Sequence, residues 1–327
     1  MNNTGYFIVS LDFELMWGVH DVTTLEAYSH RLLCTRKAIP QLLSLFDRYE
    51  IHATWATVGM LFASDKKQIM DNIPENDLLP SYDNTKHSSY NYLTQVGNSE
   101  KDDPYHFASS LIEEIRKHDF QEIGSHTYSH YYCKEEGQTQ DQFQKDLEIN
   151  RALVKDNEMV SIVFPRNQCN PNYLSTCKEN GFLAYRGMEN TYINRWNFSE
   201  KVKRFLRFVD SYFNISGNHC YKLSDALEDN SEMINLKSSC FLRPYVPERK
   251  KLERFKISRI KKQMLYAAKH KEVFHMWWHP HNMGENTTEF LTELEDIFRF
   301  ANELNHLYGF QSANMGEIIK IINCEDM

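Results

Sequence analysis

The chain predicts an α/β fold around a parallel sheet, either a barrel or a doubly wound sheet. Three observations carry this. Residues 6–11 and 51–59 are apolar runs of strand length, and residues 31–49 between them keep helical spacing through Leu32, Ile39, Leu42, Leu43 and Phe46. Short connections around one helix imply that the two strands run parallel, and the same alternation continues along most of the chain. Chemically capable side chains also gather just past strand ends: Asp12, Glu14, His126, His130, Arg166, Arg186, His279 and His281. In parallel α/β folds function sits beyond the carboxyl ends of the strands.

Each element has its own justification. The first strand, 6–11, runs into Asp12 and Glu14. Pro40 lies inside the stretch 31–49, where it either kinks the helix or marks its start. Residues 64–106 are polar, rich in Asn, Asp, Ser and Lys, and read as an insertion. A helix over 108–117 leads into a strand over 120–123 and then to Ser125-His126-Thr127-Tyr128-Ser129-His130. The next helix, 138–154, places Phe143, Leu147 and Val154 on one face, interrupted by Asn150 and Arg151. A strand over 160–164 ends in Pro165-Arg166-Asn167-Gln168. A short helix over 174–180 is closed by Gly181 and followed by a strand end at 182–187. Residues 189–235 read as an elaborated loop. Beyond them come a strand end at 241–244, a basic helix over 248–271 and a late strand over 272–278 ending in His279-Pro280-His281-Asn282. A helix over 288–304 and a short strand over 309–313 close the pattern.

The 327 residues and 41% hydrophobic content allow a sizeable core. We expect one domain over residues 1–327, with inserts at 64–106 and 189–235. A formal net charge of −8 argues against general nucleic-acid binding. The seven cysteines include no CxxC pair and are odd in number, as in a reduced, cytoplasmic chain. The start of the sequence has no basic region, and Asp12 and Glu14 break its apolar stretch, so no signal peptide is expected. No segment has the length of a transmembrane helix.

The segment from Ser125 to His130 is the most informative motif. It sets two imidazoles four residues apart. If His130 lies on a helical turn, both rings face one side, and two converging neutral imidazoles are the start of a divalent-metal site. A third ligand is on offer in the acidic strand end at Asp12 and Glu14. The plainer readings are a chance pair among 14 histidines and carboxylates that only cap or face solvent. Arg166 could pair with a structural acid, and His279 before Pro280 could be a packed core residue. Trp17, Trp277 and Trp278 fit either a core or an apolar wall for a sugar ring. The basic run Arg249, Lys250, Lys251, Arg254, Lys256, Arg259, Lys261 and Lys262 reads first as a solvated helix face, and second as a contact for phosphate or an anionic membrane surface. No Gly-rich phosphate loop follows any strand.

Together these motifs resemble the polysaccharide deacetylases, the NodB-homology or carbohydrate esterase family 4 superfamily. The resemblance spans residues 7 to about 316. It rests on the acidic strand end, on Ala53-Thr54-Trp55, on the Ser125–His130 segment, on the arginine after a strand and on the late strand ending in histidine. It implies a distorted (β/α) barrel of seven or eight strands with loop insertions. It also implies a metal-dependent hydrolase that removes N-acetyl, O-acetyl or N-formyl groups from sugars. Carried over, Glu14, His126 and His130 would hold the metal, zinc first, with iron, cobalt, nickel or manganese as alternatives. Asp12 would be the general base, Arg166 would sit beside it and keep it ionised, and His279 or His281 would protonate the leaving amine. The sequence departs from the usual pattern in three places: Asp12-Phe13-Glu14 replaces adjacent aspartates, the arginine segment is altered, and Trp277-Trp278-His279-Pro280-His281 replaces a simpler late motif. The inserts resemble those of a divergent cytosolic branch associated with surface-polysaccharide biosynthesis. The implied substrate is a nucleotide- or lipid-linked acetamido sugar, with peripheral membrane contact allowed. The altered motifs keep open a non-catalytic glycan-binding or scaffold protein.

Overall fold

The computed structural model describes residues 4–154, 159–189, 191–196, 198–227 and 233–325. Among the described residues nine strands form one sheet: β1 (Tyr6–Phe13), β2 (Ala53–Thr57), β3 (Gln121–Ser125), β4 (Ser161–Ile162), β5 (Ala184–Tyr185), β6 (Ile234–Asn235), β7 (Cys240–Phe241), β8 (Val273–Trp278) and β9 (Gln311–Ala313). Their order is β6-β5-β4-β3-β2-β1-β8-β7, with β9 also on β1, and every pairing is parallel.

The sheet curls on itself where one stretch changes neighbours. Ile234 and Asn235 pair with β5, and the Leu236 and Ser238 amides still donate to the Tyr185 and Gly187 carbonyls. A few residues on, the Ser239 amide donates to His275, and Cys240 and Phe241 pair with β8. The segment 234–241 thus joins the two margins of the sheet, giving the curled parallel barrel implied by the resemblance.

The strand period decides what faces where. Phe7, Val9, Leu11 and Phe13 of β1 belong to the large core under the outer helices. Tyr6 and Ile8 belong to a smaller interior cluster, and Ser10 and Asp12 continue that inward face toward the carboxyl end. A one-residue slip of β1 would turn four large apolar side chains inward and drive Asp12 into the apolar layer. Burying such a side chain is worth about 1.5–3 kcal/mol each, so the register is firmly set. The amino end is plugged by the helix Met315–Glu325, whose Ile318, Ile319 and Ile322 fill the interior cluster.

Several elements differ from the sequence expectation. The first helix is Leu25–Tyr49; it starts early because the Thr24 hydroxyl caps it by accepting from the Ala27 amide at 3.4 Å, and Pro40 stays inside it. The stretch 189–235, expected as loop, contains the helix Glu200–Phe213 as well as β6. That helix is dense in Lys and Arg, but Val202, Phe205, Leu206, Val209, Tyr212 and Phe213 recur along it at helical spacing, the pattern of an amphipathic helix. Residues 64–106 hold short helical turns. The Tyr105 carbonyl accepts from the Met16 amide and the His106 carbonyl from the Trp17 indole, so the insert packs over the turn after β1. Among the described residues no helix is long and apolar enough to cross a membrane.

Candidate active site

Three strand ends build the site. β1 delivers Asp12 and Glu14, β3 delivers His126 and, four residues on, His130, and β8 delivers His279 and His281. The histidine pair does not sit on a helical turn. Thr127 and His130 adopt left-handed backbone, with φ of 62° and 58°, a conformation unfavourable for a β-branched residue. The strain is offset locally: Gly59 donates its amide to the Thr127 carbonyl at 2.8 Å, and the Tyr131 amide donates to the Thr127 hydroxyl at 2.7 Å.

Asp146, from the helix Gln140–Val154, holds the same turn. Its carboxylate accepts from the Tyr128 amide at 2.7 Å, the Ser129 amide at 3.0 Å and the Ser129 hydroxyl at 2.5 Å. Asn150, one turn on, donates to the Ser125 hydroxyl at 2.7 Å. Burial pushes the Asp146 carboxyl up to about 6 despite these donors. Asp146 was not picked out from the sequence. The polar interruption of an apolar helical face at Asn150, with an acid four residues earlier, was its signal.

Glu14, His126 and His130 form a buried cluster whose ligand atoms all lie within 4.8 Å of one another. The Glu14 Oε2 oxygen is 3.3 Å from His126 Nε2 and 3.0 Å from His130 Nε2. His126 Nδ1 donates to the Val163 carbonyl at 2.8 Å. A carbonyl only accepts, so Nδ1 carries a proton and Nε2 is the ring atom turned toward Glu14. That buried Nε2 has no hydrogen-bond partner. Burial pushes the His130 imidazole down to about 4, which keeps it neutral at ordinary pH. Burial alone would raise the Glu14 carboxyl, but the nearby histidines outweigh it and hold the group well below the usual range. Two imidazoles and an ionised carboxylate, with the buried His126 Nε2 lacking a hydrogen-bond partner, fit a divalent cation. Gly18 makes room for the set, since a Cβ there would lie 2.0 Å from Glu14 Cδ.

Asp12 sits beside this cluster in a bidentate pair with Arg186, at 2.7 Å and 2.8 Å. Burial again works against ionisation, and the Arg186 guanidinium prevails, so the Asp12 carboxyl lies below its ordinary value. Arg166, expected in this position, is elsewhere. It pairs with Asp21 at 2.5 Å and lies over the Tyr132 ring at 4.4 Å. Arg166 has left-handed backbone in the turn after β4 and is carried outward, whereas Arg186 follows β5 directly and points into the barrel. Arg186 also donates to Ser10 at 3.1 Å and to the Asn167 side chain at 2.9 Å, and stacks over Trp277 at 4.1 Å. Beneath it His275 Nε2 meets the Ser10 hydroxyl at 2.8 Å, so the base of the pair rests on a satisfied network.

The late histidines separate by environment. His279 Nε2 is 3.7 Å from Asp12 and 3.6 Å from Glu14, with its side chain 24% exposed. His281 is stacked on it at 4.8 Å and is buried, 3.8 Å from Glu14. Burial, reinforced by His279, pushes His281 down to about 3. Trp277 lines the site, while Trp17 and Trp278 are wholly buried in the large core. The basic helix, Lys250–His270, is not simply a solvated face: Lys256 is buried with Glu253 and Glu293, at 2.5 Å and 2.8 Å, and Arg259 pairs with Asp210 at 2.6 Å.

The curled parallel barrel thus gathers buried carboxylates and histidines at its carboxyl mouth. Residues 33–185 match the model of the polysaccharide deacetylase family. The matched stretch contains His126 and His130, while Asp12, Glu14 and His279 lie outside it. A search of curated protein sequences returns no match. The fold is similar to a crystal structure from Mycobacterium smegmatis described as a polysaccharide deacetylase, with a TM-score of 0.59 and 14% identity over 99% of this chain and 92% of that one. A second structure so described, from Pseudomonas aeruginosa PAO1, gives 0.50 at 13% identity over 96% and 89%. A 4-alpha-glucanotransferase from Thermococcus litoralis gives 0.51 at 11%, over 97% of this chain but 40% of that one. At these identities the likeness is one of fold.

Proposed function

We propose that the protein is a metal-dependent hydrolase that removes the N-acetyl group from an acetamido sugar, carried on a nucleotide- or lipid-linked precursor of a bacterial surface polysaccharide. The observation that carries this is the Glu14–His126–His130 cluster lying against the Asp12–Arg186 pair and His279. The match of residues 33–185 to the polysaccharide deacetylase family supports the sugar substrate. The seven cysteines, all unbridged, fit a reducing compartment.

Glu14, His126 and His130 would hold the cation. When bound, a divalent ion supplies a Lewis acid for the amide carbonyl and lowers the pKa of a water from about 15.7 toward about 7. Asp12, kept ionised by Arg186, takes a proton from the attacking water. His279 gives a proton to the departing nitrogen, since an amide anion is a very poor leaving group. His281, held neutral by burial, serves as the packing partner that orients His279. Trp277 offers an apolar face for the sugar ring.

Acyl release from N-acetylated and N-formylated amino sugars tests this. Native protein should release acetate, and Asp12→Asn should lower turnover by about 10³-fold, within the range of general-base loss, while retaining its metal. Full activity in Asp12→Asn sinks the base assignment. Release of formate alone changes the acyl group, and metal retention with no acyl release across the panel favours a glycan-binding scaffold.

A further inference from the structure

A cavity of about 260 Å³ opens beside the catalytic carboxylates. Trp277 and Asn167 line it, and both touch Arg186, the partner of Asp12. Phe241, packed 4.5 Å from Trp277 and 5.8 Å from His279, forms the shared wall. The lining carries four guanidiniums, Arg166, Arg207, Arg243 and Arg259, together with His219, against two carboxylates, Glu189 and Asp210. Arg259 is committed to Asp210 at 2.6 Å and Arg166 to Asp21 at 2.5 Å. Glu189 is half-buried, and desolvation raises its carboxyl despite nearby His219, Arg259 and Arg207.

Arg243 differs from the other arginines. It is half-buried on the cavity wall, and Tyr212, Cys240, Arg249 and Arg204 are among the groups acting on it. Its guanidinium lies 5.7 Å from the Phe208 ring centre, and Arg249 lies 4.9 Å from the same ring. Cations gathered at one partly desolvated rim repel each other unless an anion joins them. Guanidinium forks match the oxygens of phosphate and carboxylate.

We propose that this cavity binds one anionic group, a phosphate or a carboxylate, on the acylated sugar whose acyl group lies over Asp12 and His279. The anion meets Arg243 while Trp277 and Phe241 hold the intervening ring. The inference rests on the sugar-hydrolase reading and adds to it the place where a charged sugar's anionic group is recognised. It also gives the arginines at the start of the basic helix a role through Arg249.

Deacylation of N-acetylglucosamine, its 1-phosphate and its uronic acid separates the cases. The native protein should prefer one charged sugar by about tenfold or more in kcat/KM, as expected for a charge-assisted contact; which one identifies the anion. Arg243→Gln should abolish that preference and leave the neutral sugar unchanged. The exposed Arg249→Gln should change it in the same direction, which separates loss of a cation from loss of fold. No preference in native protein, or a preference intact in Arg243→Gln, overturns the proposal. Calorimetry with inorganic phosphate isolates the cavity from the chemistry. Binding should weaken about tenfold in Arg243→Gln and persist in His126→Ala. Equal binding by native and Arg243→Gln protein overturns the cavity, whatever is hydrolysed. Phosphate bound through Arg243 with no sugar hydrolysed supports the cavity and overturns the hydrolase reading instead.

Discussion

The barrel interior buries carboxylates at both ends, and the two ends treat them in opposite ways. At the amino end Glu122 of β3 accepts from the Ser161 and Thr54 hydroxyls, both at 2.6 Å, and from the Gly316 amide at 2.9 Å, where the helix Met315–Glu325 begins. All three donors are neutral. Burial wins, and the Glu122 carboxyl is raised above its usual value. At the carboxyl end Asp12 and Glu14 are more deeply buried than half-buried Glu122 but face a guanidinium and four imidazoles, and both are held below their usual values. Hydrogen bonding alone is enough to staple a helix to a sheet. Keeping a buried carboxylate ionised, and so able to take a proton or hold a cation, requires charged or basic partners.

Breaking the Asp12 pair gives the largest effect of the variants that target this contrast. Arg186→Met leaves a buried acid without its cation, so Asp12 should behave like Glu122 and its pKa should rise. Its ionised form is the active one, so activity is lost as pH falls through that pKa. The acid limb of the pH–rate profile should therefore move to higher pH, with kcat/KM at neutral pH down by about 10²-fold. Loss of one partner of a buried pair should also lower stability by about 3–5 kcal/mol, measured by urea unfolding. An unmoved acid limb removes Arg186 from the account.

Gly18→Ala acts on the other carboxylate at smaller scale. The added methyl displaces the Glu14 side chain, so metal affinity should fall by about tenfold with little change in thermal midpoint. Unchanged affinity means that Glu14 is not a ligand. Glu122→Gln should give the smallest effect: one acceptor becomes a donor, costing about 1–2 kcal/mol, while turnover per folded molecule stays native. A loss of turnover beyond the unfolded fraction would join the two ends functionally and undo the contrast.

Much of this was legible from residue order. The alternation of runs gave the parallel frame, because a buried strand must be apolar and a covering helix must be amphipathic. The strand-end position of Asp12, Glu14, His126, His130 and His279 follows from topology, which brings all strand ends to one mouth. The choice of arginine was not legible. Arg166 and Arg186 both follow strands, and only the left-handed turn at Arg166 tells them apart. The histidines converge through left-handed Thr127 and His130, a backbone choice with no signature in residue type. The helix Glu200–Phe213, by contrast, has its signature in residue type: Val202, Phe205, Leu206, Val209 and Tyr212 recur at helical spacing inside a stretch whose charge suggested a loop.

The central claim is that Glu14, His126 and His130 together hold a divalent cation. Elemental analysis of the purified native protein beside Glu14→Ala and His126→Ala tests it most directly. The account predicts about one metal ion per native chain and none in either variant. Native protein that remains free of metal after incubation with zinc, or variants that bind as much as the native chain, contradicts it.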